Sequence, residues 1–291
     1  MERRDSGVKI FFRNFYSTGL PNLTGIILAS PLERYSIICQ TRSILKSPLG
    51  YPNFLTYITQ VPDREGILGL FRGSMVRSLH YLVGSAITFR TYYYLNSKIS
   101  SIIEAKSPLD IEILKILSSS TIFLATEFFV YNYERARTLI ACDFKPKGIP
   151  RTYNGSCDVL SYSLRVEGIK NVYAGFPLYI GSYAFFLSIA LIFSKKFEEL
   201  GVGNNKMTDF AAFGVAKAVV YPLDLIRRRN QVSGTEYFQK DRRFFYWQIK
   251  DIVNNEGIKG LYRGFLPAML HTFTCLNLVW ILSGDSYFKA D

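Results

Sequence analysis

The sequence predicts an all-α membrane protein: a three-repeat bundle of six transmembrane helices with three short helices at the membrane surface. Three observations carry this. First, one stretch occurs three times, from Glu65-Gly66-Ile67 to Gly73, from Glu167-Gly168-Ile169 to Gly175, and from Glu256-Gly257-Ile258 to Gly264. The copies start 102 and 89 residues apart. Second, an acidic residue keeps the same register: Glu33, Glu134 and Asp224 stand 40, 41 and 40 residues ahead of the closing glycine. Two landmarks in one register define an internal repeat. Third, an apolar segment lies on either side of each copy. The units run 8–100, 108–200 and 205–289 and share one plan, so they form one integrated domain rather than three independent ones.

In chain order, Leu20–Ile38 is the first apolar segment, interrupted by Pro31 and Glu33. Leu79–Leu95 follows the first Glu-Gly copy. Ile111–Ile140 opens the second unit, and Phe176–Phe193 closes it as the cleanest span, nearest to the ~20 apolar residues a bilayer helix needs. Phe210–Val220 runs into Tyr221-Pro222, and Leu266–Leu282 is last. Polar residues within the other five are expected to face a water-filled interior rather than lipid. Six spans place both termini on one side. Between each odd span and its Glu-Gly lies a shorter amphipathic stretch: Phe54, Ile58 and Val61 in the first unit, Cys157, Leu160 and Leu164 in the second, and Phe245, Ile249, Ile252 and Val253 in the third. Their helical spacing predicts short helices lying at the interface.

Composition narrows the partners. The chain has 291 residues, a net charge of +12, 48% hydrophobic and 15% aromatic residues, and a mean hydropathy of +0.10. Such a charge suits anionic partners. Basic residues flank the apolar runs and build no dense nucleic-acid arm, so the expected partners are membrane lipid and a small anionic solute, with no nucleic acid. Cys39, Cys142, Cys157 and Cys275 are scattered, and with His80 and His271 as the two histidines they make neither a disulfide framework nor a metal site. No nucleophile motif or phosphate loop is present, and no cofactor is expected. Met1-Glu2-Arg3-Arg4-Asp5 lacks the apolar core of a secretory signal.

The motifs resemble those of the mitochondrial carrier family, over nearly the whole chain. Pro222-Leu223-Asp224-Leu225-Ile226-Arg227 matches that family's Pro-x-[Asp/Glu]-x-x-[Lys/Arg] in full. Pro31-Leu32-Glu33 through Ser36 lacks the final cation, and Asn132-Tyr133-Glu134 through Arg137 lacks the proline. Within the family the likeness is strongest to the ADP/ATP carriers: Glu33-Arg34 with Gln40, Arg137-Thr138 with Cys142-Asp143, and Arg227-Arg228-Arg229, where Asn230-Gln231-Val232 replace the expected methionines. The resemblance implies a multi-pass location in the inner mitochondrial membrane and alternating access around a central site.

It also implies roles for residues. The three motif acids and their cations would close the matrix side. Here Glu33, Glu134 and Asp224 have Arg137 and Arg227 but Ser36 in place of the third cation, so two of three inter-repeat bridges are expected, braced by Gln40. A second gate on the even helices would require an acid and a cation three residues apart. The corresponding positions, Tyr93 with Asn96, Lys195 with Glu198, and Ser283-Gly284-Asp285, do not supply the pair in order. Both histidines stand 15 residues after their Glu-Gly acid, with Ser182 and its neighbour Tyr183 as the second-unit counterpart. These are family substrate-contact positions, read either as a pH-sensitive or small-anion site or as packing. Glu127 and Lys217, five residues before the motif proline position, are expected in the cavity at similar depth, meeting a solute or neutralising each other, with Arg228 beside them. Cardiolipin would sit at the openings of the even helices, at Arg72-Gly73, Gly175 and Arg263-Gly264, with Tyr153-Asn154-Gly155. Tyr51-Pro52-Asn53 fits that pattern in part and Arg242-Arg243-Phe244 does not. Two functions follow: an ADP/ATP-carrier-like exchanger of anionic or nucleotide-type solutes, or a non-transporting carrier-fold subunit of a larger membrane complex.

Overall fold

Glycine punctuates each unit twice. Gly66, Gly168 and Gly257 have φ of 85°, 84° and 70°, a region that side chains with a Cβ avoid, and each follows the acid that ends a surface helix. Gly73, Gly175 and Gly264, at 91°, 82° and 78°, turn the chain into the next long helix. The computed structural model describes residues 15–45, 53–103, 108–144, 151–199, 206–235 and 244–283. Among these no strand occurs. The outer repeat boundaries at 8, 200, 205 and 289, the N-terminal pentapeptide, Tyr51-Pro52, Arg242-Arg243 and Gly284-Asp285 lie outside the described residues.

The first span is two helices, α1 (Leu20–Leu28) and α2 (Ser30–Thr41). They part at Ala29, where Pro31 follows at the start of α2 and cannot donate to the preceding turn. Surface helix α3 (Phe54–Glu65) and span α4 (Ser74–Ile103) complete the first unit. The second comprises α5 (Pro108–Ala141), α6 (Ser156–Tyr162) with its π-helical continuation Ser163–Glu167, the single turn α7 (Ile169–Val172) and α8 (Phe176–Glu199). The third comprises α9 (Lys206–Val232), which runs straight through Pro222, then α10 (Phe245–Glu256) and α11 (Phe265–Ser283). The units pack side by side: α4 against α5, α8 against α9, and α11 against α1 and α2, which closes a ring. Among the described residues, Ile169–Ala190 alone meets a span's length and hydropathy by composition, with mean hydropathy 1.4 over its best window. It overlaps the segment expected to be cleanest.

The surface helices keep part of the faces expected of them: Phe54 and Val61, and Phe245, Ile249 and Ile252, pack on the cores of their units. Their inward line lies eight, four and zero residues before the glycine-preceding acid: Tyr57, Val61 and Glu65; Val159, Ser163 and Glu167; Gln248, Ile252 and Glu256. The first two members of each line are buried. Cys157 is exposed, and Ile58, Leu164 and Val253 point outward. A helix at a membrane interface has apolar surroundings on the lipid side as well, so its apolar residues do not mark the protein-facing side.

Each of those acids is anchored from the odd span. Glu65 receives Arg34 at 2.9 Å, with both side chains sealed from solvent. Glu167 receives Arg135 at 2.5 Å. The matching position in the third unit is Leu225, and Arg229, one turn further along α9, reaches Glu256 at 3.3 Å instead. Removing one partner of so buried a pair leaves an uncompensated charge.

Candidate functional site

The odd spans converge at their ends, and their motif acids meet the cations of neighbouring units there. Arg137 Nη1 lies 2.7 Å from Glu33 and joins units one and two. Arg227 Nη1 lies 2.7 Å from Glu134 and joins units two and three. Among the described residues the third junction has no such pair of motif acid and motif cation, as Ser36 requires. Asp224 is held by cations of its own helix, Lys217 at 2.5 Å and Arg227 at 3.4 Å. Ser36 instead donates its hydroxyl to the carbonyl of Gly264 at 2.9 Å. Glu134 is the hub, receiving Arg137 and Arg228 as well, at 2.7 and 2.9 Å.

Beneath the acids lies a second tier. Gln40 donates to the Tyr221 hydroxyl at 2.9 Å, and that hydroxyl donates to the carbonyl of Arg263 at 2.7 Å. Gln231 repeats this on Tyr131, at 2.9 Å, which donates to the carbonyl of Ala174 at 2.8 Å. Gln40 therefore braces a tyrosine rather than an ion pair. Gln231 was not anticipated, although it stands nine residues after Pro222, as Gln40 does after Pro31. Replacing Gln40 by Ala is expected to cost about 1 kcal/mol, one buried neutral hydrogen bond. Gln40→Ala with Gln231→Ala should cost nearly the sum, since the two braces share no partner. Thermal unfolding of the detergent-solubilised chain measures both.

Above the acids is a cavity of about 520 Å³. It gathers His80, His271, Glu127, Lys217 and Arg228, together with the motif acids, Arg137, Arg227 and Gln40. Glu127 and Lys217 do not neutralise each other: Lys217 is turned to Asp224, while Glu127 lies 3.4 Å from His80 Nε2. His271 Nε2 is 3.8 Å from Glu33. Arg77, unforeseen in the sequence, also enters from α4 and pairs with Glu33. Ser182 and Tyr183 line a neighbouring recess of about 250 Å³ rather than the main cavity. Ser182 spends its hydroxyl on the carbonyl of Tyr179, at 2.9 Å. Tyr183 stacks on Phe123 with ring centroids 3.9 Å apart. The recess shares Tyr179, Lys217, Asp224, Arg227 and Thr272 with the cavity and is otherwise largely aromatic and apolar.

Most of the expected lipid positions also make protein contacts. Arg72 bonds Asp143 at 3.0 Å, and Arg263 bonds Glu256 at 3.0 Å while keeping 40% of its side chain exposed. A Cβ on Gly73, Gly175 or Gly264 would stand 3.2, 3.1 or 2.7 Å from the carbonyls of Arg137, Arg227 and Ser36. The glycines thus have a packing cause, close approach of one unit to the next. Tyr153 is buried, which raises its phenol pKa, whereas nothing crowds Gly155. The side chains of Tyr93, Asn96, Lys195 and Glu198 lie outside the described residues.

The family profile described as "Mitochondrial carrier protein" matches residues 8–102 and 198–282, more than half of the chain. The chain belongs to the mitochondrial carrier family. It is therefore a carrier-type transporter rather than an enzyme, a multi-pass protein of a family typical of the inner mitochondrial membrane. The unmatched middle holds the unit with Asn132 for proline and Ala174 for the arginine before glycine. Similar proteins include ADP,ATP carrier protein ER-ANT1 of Arabidopsis thaliana, 25% identical over 283 residues that cover 89% of each chain. The ADP,ATP carrier protein of Neurospora crassa is 26% identical over 286 residues, 89% of this chain and 86% of its own. Mitochondrial thiamine diphosphate carrier 2 of Zea mays is 24% identical over 259 residues, 79% and 76% of the two chains.

Proposed function

We propose that this carrier exchanges an organic solute with a phosphate-bearing end, by alternating access around the central cavity. The observation that carries this is the charged cavity itself. At about 520 Å³ it lies within the roughly 300–1,000 Å³ of ordinary ligand sites. Its lining holds the cations Arg77, Arg137, Lys217, Arg227 and Arg228 against the acids Glu33, Glu127, Glu134 and Asp224, leaving a small positive excess with the histidines neutral. The adjoining aromatic recess suits a flat ring. The relatives are named for ADP, ATP and thiamine diphosphate, each a heterocycle bearing a di- or triphosphate, which fits a site of this two-part character.

The motif acids and their cations serve as the matrix gate in this reading, since the ion pairs tie units one to two and two to three below the solute. Opening it requires parting buried pairs, and solute contacts must offset that cost. Cardiolipin at the rim, near Tyr153 and Gly155, would brace the ring from outside.

Reconstituted in liposomes, the full chain should exchange labelled ADP or thiamine diphosphate in preference to small carboxylates. The third junction, where no arginine or lysine ion pair bridges the repeats among the described residues, favours a second reading, a carrier-fold subunit that stays in one state within a larger membrane complex. Absence of exchange for all phosphate-bearing probes, with stable co-purification in a large assembly, would support that reading and reject ours.

A further inference from the structure

The five cavity cations are not equivalent. Arg137, Arg227 and Arg228 keep 6%, 7% and 8% of their side chains exposed, and they are consumed by the floor. Arg77 and Lys217 keep 26% and 29%, and that surface opens to the cavity. Each is turned onto a gate acid, Arg77 onto Glu33 and Lys217 onto Asp224. Neither acid depends on it alone. Glu33 also has Arg137 at 2.7 Å, and Asp224 also has Arg227 at 3.4 Å. Letting go of Arg77 or Lys217 therefore orphans no buried charge, the condition under which exchange of partners is cheap.

Both cations also break the threefold pattern. Four residues after the closing glycine stand Arg77, Tyr179 and Ala268, and five before the motif proline position stand Ile26, Glu127 and Lys217. A role confined to the ring would recur in each unit, whereas a polarised ligand needs its cations on one side. His271, on α11, lines the same cavity as both.

We infer that Arg77 and Lys217 together hold the phosphate end of the solute, and that they take it by releasing Glu33 and Asp224. This rests on the transport reading above and adds its contact residues. The guanidinium fork of Arg77 matches two phosphate oxygens, and the Lys217 ammonium adds a mobile point charge. Because the released acids belong to the floor, binding loosens it at the two ends of its ion-pair chain. Solute capture and gate opening then share the same two side chains, which is how a ligand gains differential affinity for one state.

The test uses the purified full chain, melted in detergent with pyrophosphate, ADP or thiamine diphosphate, and with adenosine or thiamine as phosphate-free counterparts. Only the phosphate-bearing probes should raise the melting temperature. In liposomes Arg77→Ala and Lys217→Ala should each raise KM for the exchanged probe about 10- to 100-fold, the loss of one charge-assisted contact. Arg77→Lys should recover part of this. Lys250→Ala, a cation over Trp247 on surface helix α10, should leave KM unchanged. The unliganded melting temperature shows whether each variant is folded. A variant too unstable to assay is replaced by Arg77→Gln or Lys217→Gln. Active exchange with KM unaltered in both variants overturns this inference and leaves the transport reading standing. A wild type that neither exchanges any probe nor gains thermal stability overturns both.

Discussion

Glu134→Gln is expected to destabilise the folded bundle by about 3–5 kcal/mol, the range for removing one partner of a buried ion pair. The size follows from where the loss falls. Glu134 keeps 5% of its side chain exposed and accepts from three guanidiniums, Arg137, Arg227 and Arg228. Glutamine fills the same volume without the charge. Arg137 would retain Glu33 at 2.7 Å, and Arg227 would retain Asp224 at 3.4 Å. Among the described residues Arg228 would retain neutral acceptors, Thr138 and, at 3.3 Å, Gln231. The cost is thus concentrated on one stranded cation. The double variant Glu134→Gln with Arg228→Gln should recover stability relative to Glu134→Gln, a coupling that two independent sites would not show. Thermal unfolding of the detergent-solubilised protein measures both. A loss below about 1 kcal/mol, the value of an exposed pair, would mean that water reaches the floor and the ion pairs hold nothing there.

This hub could be read from the chain because repetition fixes positions even where residue types drift. Glu134 was placed by register alone, since its proline is Asn132, and it occupies the corner of the ring that Glu33 and Asp224 predict. The limits of the same reasoning show at Arg77 and Arg229. Both depart from the threefold pattern, so register says nothing about them. Arg229 takes over from the expected residue, Leu225, by reaching from one turn further along, a substitution that only the helix geometry reveals. Gln231 is the opposite case: its spacing to Pro222 carries the signal, within the Asn230-Gln231-Val232 stretch that stands where methionines are expected. On the surface helices the apolar stripe is only in part the protein-facing side. Such a stripe marks the buried side when the far side meets water; at a membrane interface exposed residues such as Ile58, Leu164 and Val253 can be apolar too. In the second and third units the protein-facing line holds Ser163, which accepts from Arg135, and Gln248, which donates to Asn230 at 2.8 Å. Polar residues in that line look like a solvated face in any periodicity count.

Gly264→Ala should be the most damaging of the three closing-glycine substitutions, and the ranking tests what joins the first unit to the third. All three glycines share a positive φ, so each alanine incurs a comparable backbone cost of about 1–3 kcal/mol. They differ in the space a methyl would enter. At Gly73 the nearest carbonyl would be 3.2 Å away, and at Gly175 the Arg227 carbonyl and the Tyr131 hydroxyl would both be 3.1 Å away, tight contacts that shifts of a few tenths of an ångström relieve. At Gly264 the Ser36 carbonyl would be 2.7 Å away, with the Cys39 Cβ at 3.0 Å and the Tyr221 hydroxyl at 3.2 Å, and a backbone atom that close must move. Two helices would have to part, adding about 1–3 kcal/mol of overpacking. They would part at the junction that, among the described residues, no arginine or lysine ion pair bridges. There Ser36 donates to Gly264, Gln40 to Tyr221, and Arg229 to the carbonyl of Gln40 at 3.1 Å. Short hydrogen bonds of this kind do not survive a displacement that a long-range charge pair would tolerate. Melting temperatures should therefore fall furthest for Gly264→Ala, with Gly175→Ala and Gly73→Ala close together above it. Equal losses at all three would show that the third junction is as compliant as the others, and that the missing cation at position 36 has been made good by something other than tight backbone contact.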